Sequence, residues 1–469
     1  MTNERTLRVP LRDWLARPIA TIQPVLARKG KPTVDLERLA REVQGIARVL
    51  PPIEVRSPEH WAQAIGSLGD EVDAIFPVSV PAYPTEIWNA HPEPLVRRGI
   101  PVVFWPLMEY DEPDFWRWSA RDMLQSLGVK VVLVPSLAEG KALLRSYGVK
   151  RFLRQSRMVV FGDQNFPWNA LSASSNLTEK LGTRIDVLPL GAFRERAGTY
   201  SDAEVRAVWE KRRDRYEVKN VRPAEHDQAL RVFLAIRSIL DERKAFAFGV
   251  NCYGDLITNG GRDVPCLAQS LLREEGFIAS CDGDFLAMES MALMSVFLDL
   301  PCMMSNMYPV SYVGALRDHF GDPLSPDESK YPRARWKNLA RLGHCGYIGV
   351  VSPEMTPAGK TALHDFGGTY EIKRDGRGCG LDGDMRGDTE ATAVELKFDG
   401  KSLVVAHLKV LETTRHPFPH CESTALLEFD DLPRLIENIS REHTVISYGD
   451  HIAALRVLAD TLGLDCVLC

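Results

Sequence analysis

Residues 277–300 read FIASCDGDFLAMESMALMSVFLDL: a short apolar run, an acid-glycine-acid turn, then a long apolar stretch of helical character. A continuous apolar run bounded by a turn reads as a buried strand, and a strand followed directly by a helix is the repeating unit of a parallel sheet. The same reading extends outward in both directions. Strands are expected at Val72–Val80, Val102–Trp105, Val129–Pro135, Met158–Gly162, Ile185–Leu190, Ala245–Asn251 and Phe277–Cys281. Amphipathic helical patterns lie between several of them, at Phe115–Leu127 and Ala138–Tyr147. The charged run Ala203–Lys219 reads as one long solvated helix.

After about residue 350 the pattern changes. Thr369–Lys373, Ala391–Phe398, Ser402–Val410 and Thr424–Phe429 alternate or carry β-branched residues and are separated by Gly and Asp, which marks antiparallel strands. The tail returns to a helix at His451–Leu462, with Ile452, Leu455, Leu458 and Leu462 at helical spacing. The expected fold class is α/β: two doubly wound parallel-sheet α/β domains, residues 1–155 and 156–335, followed by a β-rich C-terminal domain, residues 336–469.

Composition narrows the function. The 469 residues carry a net charge of -6, which argues against a phosphate backbone as partner. No apolar run reaches the roughly 18 residues of a membrane span, so no membrane partner is expected. The start, MTNERTLRVPLRDW, is charged from Glu4 and lacks an apolar core, so a cytoplasmic protein is expected. All nine cysteines follow residue 250, an odd number that argues for reduced thiols, mostly buried, over a disulfide framework. The terminal pair Cys466 and Cys469 forms the one CxxC of the chain, without the second pair that a structural zinc site requires. No Gly-rich nucleotide fingerprint follows an early strand.

Three polar constellations sit at the ends of apolar runs. In Cys281-Asp282-Gly283-Asp284, acids leave the carboxyl end of a buried strand, where open α/β sheets bind ligands. The structural alternative makes Asp284 the N-cap of the following helix. Next, His344 stands among Gly343, Cys345 and Gly346, ahead of the run YIGVV. The third is Glu442-His443-Thr444-Val445-Ile446-Ser447 with Tyr448-Gly449-Asp450-His451 behind it. Farther upstream, Asn251-Cys252-Tyr253-Gly254-Asp255 leads to Asn259-Gly260-Gly261-Arg262-Asp263. That stretch reads as a substrate-contacting loop, or as a tight turn with an ion pair. Arg374–Asp388, rich in Gly, Asp and Arg, reads as a loop near the site.

In that order, the segments AFAFGVNCYGD, FIASCDGDFLAMESMALM, LGHCGY, GCGLDGDMRGDTEATAVEL and EHTVISYGDH resemble the L-arabinose isomerase and L-fucose isomerase superfamily. The resemblance is concentrated in residues 250–469 and implies a Mn²⁺ (or other divalent cation) enzyme that interconverts an aldose and a ketose through an enediol. It also implies a small sugar or sugar derivative as substrate and a homo-oligomer. By position, Asp282 stands for a metal-binding glutamate, and His344 and His443 for the two metal-binding histidines. Asn306 stands where the family carries a second metal-binding, proton-shuttling carboxylate. An amide oxygen can bind a metal but cannot exchange a proton at neutral pH. Asp282, Asp284 and Glu289 are therefore the catalytic candidates, with Asp284 or Glu289 taking over proton transfer. Cys252, Tyr253, Asn259 and Arg262 are the substrate-contacting candidates. The Asn306 departure keeps two further readings open: another enediolate reaction, such as epimerisation or retro-aldol cleavage, at the same metal site, and a non-catalytic sugar-binding relative.

Overall fold

Short apolar runs with no polar side cannot leave either face of a sheet in water, and in this chain they assemble into two parallel sheets. The computed structural model describes residues 19–27, 31–32, 34–80, 92–105, 116–164, 171–252, 256, 263–312, 325–344, 355–357, 361–365, 377–413, 416–417 and 422–469. Two compact units are present, Arg17–Phe152 and, in the second, Leu153–Cys469.

In the first unit, strands β1 (Ala20–Ala27), β2 (Ala47–Val49), β3 (Ile53–Val55), β4 (Ala74–Pro77), β5 (Val102–Phe104) and β6 (Val131–Leu133) pair in parallel in the order β2-β1-β4-β5-β6, with β3 also on β1. Val25, Ile75, Val102 and Phe104 pack with Trp61, Ile65 and Leu95 from the helices Pro58–Gly66 and Glu93–Arg98. β1 was not expected. Thr21, Gln23 and Pro24 interrupt its apolar pattern, and only tertiary partners reveal it: Thr21 donates its backbone N–H to Asp73, and Gln23 donates to the carbonyl of Pro51.

The second unit opens with β7 (Arg157–Phe161), β8 (Arg184–Leu188), β9 (Ala247–Val250) and β10 (Ile278–Cys281), all parallel, in the order β8-β7-β9-β10. The order reverses between β7 and β9, as in a doubly wound sheet. Every residue of β9 and β10 is buried, so both faces of the sheet are covered. The helix Phe285–Leu298 is apolar on all sides and buried along its first ten residues, which marks an interior helix. Its Ser290 hydroxyl accepts the Leu396 backbone N–H of the next sheet.

That next sheet is an antiparallel barrel. β11 (Met303–Pro309), β12 (Leu339–His344), β13 (Thr389–Leu396), β14 (Ser402–Glu412), β15 (Glu422–Phe429) and β16 (His443–Tyr448) follow one another in the order β15-β12-β11-β16-β13-β14. β14 then pairs back to β15 and closes the ring, which leaves no exposed edge within it. A last strand, β17 (Asp465–Leu468), adds in parallel to β14 after the helix Ile452–Leu462. The β-rich region therefore starts at Met303, with β11 among its strands.

Two expectations are corrected. The run Ala203–Lys219 is not one helix: a capping box at Ser201 and Glu204 starts a helix that ends at Glu210. A 3₁₀ turn at Arg213–Arg215 follows, and Glu217–Lys219 then pairs in parallel with Ala362–Asp365. Beyond Val208 the apolar residues lose helical spacing: Trp209 stacks on the buried Tyr216, and tertiary pairing decides the form of the rest. Part of Arg374–Asp388 is strand: Cys379–Asp382 pairs with Ala362–Asp365. The expected strand Thr369–Lys373 and the run YIGVV lie outside the described residues. Among the described residues no helix is long and apolar enough to cross a membrane.

Candidate metal centre

The turn after β10 is built to present a carboxylate. Asp282 and Gly283 both adopt left-handed backbone, at φ 53° and φ 63°. Asp is one of the few residues besides Gly that enters this region, at a cost of about 1 kcal/mol. The turn also sits tight against β9. A Cβ on Gly249 would lie 2.7 Å from the Ser280 hydroxyl oxygen and 3.3 Å from the Gly283 Cα, so a side chain at position 249 would push the turn away. Asp284 then starts the helix, its Oδ1 accepting the Ala287 N–H at 2.7 Å.

The barrel brings the histidines to the same place. On β11, Asn306 pairs with Gly343 of β12 on one side and with His443 of β16 on the other. His344 is the next residue and the last of β12, where the pairing to β15 shifts register between Leu342 and Gly343. Such a bulge re-aims side chains beside functional sites. His344 Nε2 and His443 Nε2 stand 3.6 and 3.7 Å from Asp282 Oδ2. The two rings are 6.0 Å apart between centroids. One ligand atom from each of Asp282, His344 and His443 lies within 4.8 Å of the others, and all three residues are buried.

Behind this trio runs a buried charge relay. His443 Nδ1 donates to Asp284 Oδ2 at 2.7 Å, and Arg441 Nε donates to the same oxygen at 2.8 Å. Arg441 Nη1 also reaches Glu395 Oε1 at 3.3 Å and the Leu396 carbonyl at 3.0 Å. The bond at Nδ1 fixes the ring so that Nε2 faces Asp282, an arrangement that recurs behind metal-binding histidines. Burial opposes charge on His443, yet its bonds to Asp282 and Asp284 prevail and raise its pKa to about 10. Burial likewise opposes ionisation of Asp282, but the His443 hydrogen bond and the charges of both histidines hold its pKa below the normal range. For Asp284, burial is outweighed by Arg441 and by the bond from His443. A metal taking Nε2 would displace a proton from His443.

The donor set fits a divalent cation. Among the described residues, Asn306 Oδ1 is buried without a hydrogen-bond partner, although its Nδ2 reaches the Tyr308 hydroxyl at 3.3 Å. A carboxylate and two imidazoles form a mixed N/O set of the kind that binds a divalent ion, and the orphaned amide oxygen belongs to the residue paired with His443. The expected residues therefore divide. Asp282, His344 and His443 come together, Asn306 pairs beside His443 on the sheet, and Asp284 lies directly behind His443, occupied by three donors. Glu289 faces elsewhere: its Oε1 accepts from the Thr183 hydroxyl at 2.9 Å. Cys252 is buried with its Sγ 3.8 Å from Asp282 Oδ1. Tyr253, Asn259 and Arg262 lie outside the described residues. Arg441 and Glu395 were not anticipated. Their one signal was a charge set inside or beside an apolar strand, as in AVEL.

Glu289 yields a separable prediction. Burial raises its pKa from 4.5 to about 7, with the Thr183 hydroxyl offsetting part of that rise. The folded-state value lies above the unfolded one, so stability is full below pH 4.5 and falls as pH climbs toward 7. The loss amounts to about 3 kcal/mol from this group. Glu289→Gln is expected to raise Tm at pH 8 well above its effect at pH 5. An equal shift at both pH values would refute the assignment.

Residues 173–299 match the family model of the L-arabinose isomerase central domain. The matched stretch contains Cys252, Cys281, Asp282, Asp284 and Glu289 and ends ahead of Asn306 and both histidines. No curated protein matches the chain with significance.

Proposed function

We propose, from the match of residues 173–299 to an L-arabinose isomerase central domain and the buried Asp282–His344–His443 trio, that this chain is a metal-dependent enzyme of the aldose–ketose isomerase type. The convergence of that trio carries the reading. Three buried ligand groups from distant parts of the chain meet beyond the carboxyl end of a parallel strand, the place where α/β sheets bind substrates. Asp282, His344 and His443 would hold the ion, with Asn306 Oδ1 beside them. A bound divalent ion would polarise a sugar carbonyl and hold its neighbouring hydroxyl, which favours proton transfer through an enediol.

The protein's own residues set up that chemistry. Asp284 holds the His443 ring with Nε2 turned toward Asp282, and Arg441 keeps Asp284 ionised and in place. Burial excludes water from these charges, which strengthens every interaction among them. A sugar or sugar derivative is the substrate class that this site fits, and a homo-oligomer is the expected assembly.

Loaded with Mn²⁺ and offered a panel of aldopentoses and deoxyhexoses, the protein is expected to form a ketose from at least one, with chelation abolishing turnover. Sugar binding indifferent to chelator, with no turnover across the panel, would instead identify a non-catalytic relative. Asn306 favours one second reading. It supplies an oxygen but no exchangeable proton at the position of a carboxylate, which suits a different enediolate reaction at the same site, an epimerisation or a retro-aldol cleavage. Deuterium uptake from solvent without net ketose formation would select it.

A further inference from the structure

The Asp282 carboxylate has two oxygens, and they face different chemistry. Oδ2 looks toward the two imidazoles. Oδ1 lies 3.8 Å from Cys252 Sγ and 3.8 Å from Cys281 Sγ, and the two sulfurs are 3.9 Å apart. All three residues are buried, and both cysteines carry reduced thiols.

Topology produces this triangle. β9 and β10 are parallel neighbours with Val250 paired to Cys281, so Cys252, two residues beyond Val250, emerges at the same end of the sheet. Asn251 anchors that end by donating from Nδ2 to the Asp163 carbonyl at 2.7 Å. The Cys281 backbone N–H is directed at Met304 Sδ, 3.2 Å away. The left-handed turn at Asp282 then folds its carboxylate back over both sulfurs.

The distances discriminate between uses of such a pair. A disulfide requires sulfurs about 2.05 Å apart. Around a tetrahedral zinc ion, with Zn–S about 2.3 Å and Zn–O about 2.0 Å, two sulfurs stand about 3.8 Å apart and a sulfur and an oxygen about 3.5 Å. The observed triangle, with sides of 3.9, 3.8 and 3.8 Å, matches three corners of that tetrahedron to within a few tenths of an ångström. Thiolates select soft or borderline cations, whereas the mixed N/O set on the other side suits harder ones.

We infer that Cys252, Cys281 and Asp282 Oδ1 form a second cation subsite for a thiophilic ion of the Zn²⁺ class, so that Asp282 bridges a sulfur site and a nitrogen/oxygen site. Both thiols lose their protons on binding, and these leave to solvent. The inference stands on the geometry of these three side chains and is independent of the sugar reaction.

Co²⁺ titration of the full-length protein tests it, because thiolate-to-Co²⁺ charge transfer absorbs in the near ultraviolet and nitrogen or oxygen ligands give no such band. The expected result is a saturable band that persists in His344→Ala and vanishes in Cys252→Ser/Cys281→Ser. Far-ultraviolet circular dichroism establishes that each variant is folded. Should the double variant not fold, cadmium NMR on wild-type protein decides, since the shift separates sulfur from nitrogen and oxygen ligands. Cation binding without the band, or a cadmium shift free of sulfur, would overturn the subsite. The readout involves no sugar, so the subsite and the isomerase reading stand or fall separately.

Discussion

His443→Ala is expected to lower kcat/KM by about a thousandfold or more, roughly 4 kcal/mol of lost transition-state stabilisation. The ring is the second nitrogen donor of the trio and the one whose orientation is fixed from behind, by Asp284 at 2.7 Å. Without it, Asp282 and His344 remain as a carboxylate and one imidazole, too few donors to hold an ion against water. A readout independent of activity accompanies the loss. Wild-type protein at a hundredfold excess of Mn²⁺ over Kd gains about 2.7 kcal/mol of stability from binding, and the variant is expected to gain almost none. Asp284→Asn, which keeps all ligands but loosens the ring, is expected to weaken binding by roughly ten- to a hundredfold. A His443→Ala protein that still binds Mn²⁺ with wild-type affinity would remove this histidine from the site.

Arg441→Met is expected to destabilise the protein by about 3–5 kcal/mol, the usual cost of stripping one partner from a buried ion pair. The Arg441 side chain is 1% exposed and stands between Asp284, at 0%, and Glu395, at 2%. Methionine fills much of the volume, so the loss comes from charge: two interior carboxylates lose the cation they share, and only Asp284 keeps a second one, His443. Burial raises the pKa of Glu395 to about 7, with the Arg441 charge and the Ser440 N–H pulling against it. Below that value Glu395 is neutral, and the remaining Asp284 charge still has its bond from His443. The deficit of Arg441→Met is therefore expected to be smaller at pH 5.5 than at pH 8. A penalty under about 1 kcal/mol at pH 8, measured by denaturant unfolding, would show that these carboxylates find other compensation.

Much of the architecture was legible because it follows from burial alone. Strands covered on both faces must be continuously apolar, and so VVFW, MVVFG, AFAFGVN and FIASC could be read without knowing their neighbours. Strands whose residues are polar or interrupted by proline were not legible, and Ala20–Ala27 is the clearest case. Its Thr21 and Gln23 are satisfied by Asp73 and Pro51, partners that no local pattern announces.

At the site the division is sharper. Sequence alone offered Asp284 as a helix cap beside a ligand-facing role, because capping is a contact three residues long, and the cap is formed. Only the tertiary structure decided that the same carboxylate orients His443, 159 residues away, and pairs with Arg441, 157 residues away. The sequence read the cysteines as reduced, mostly buried thiols, with Cys281 ending one strand and Cys252, a substrate-contacting candidate, just past another. The register that pairs Val250 with Cys281 set their sulfurs 3.9 Å apart over one oxygen of Asp282. Local propensity and burial act through neighbours along the chain and leave a periodic trace in it. Convergence of charges depends on which strands pair and in what register, and that is settled by the packing of the whole unit.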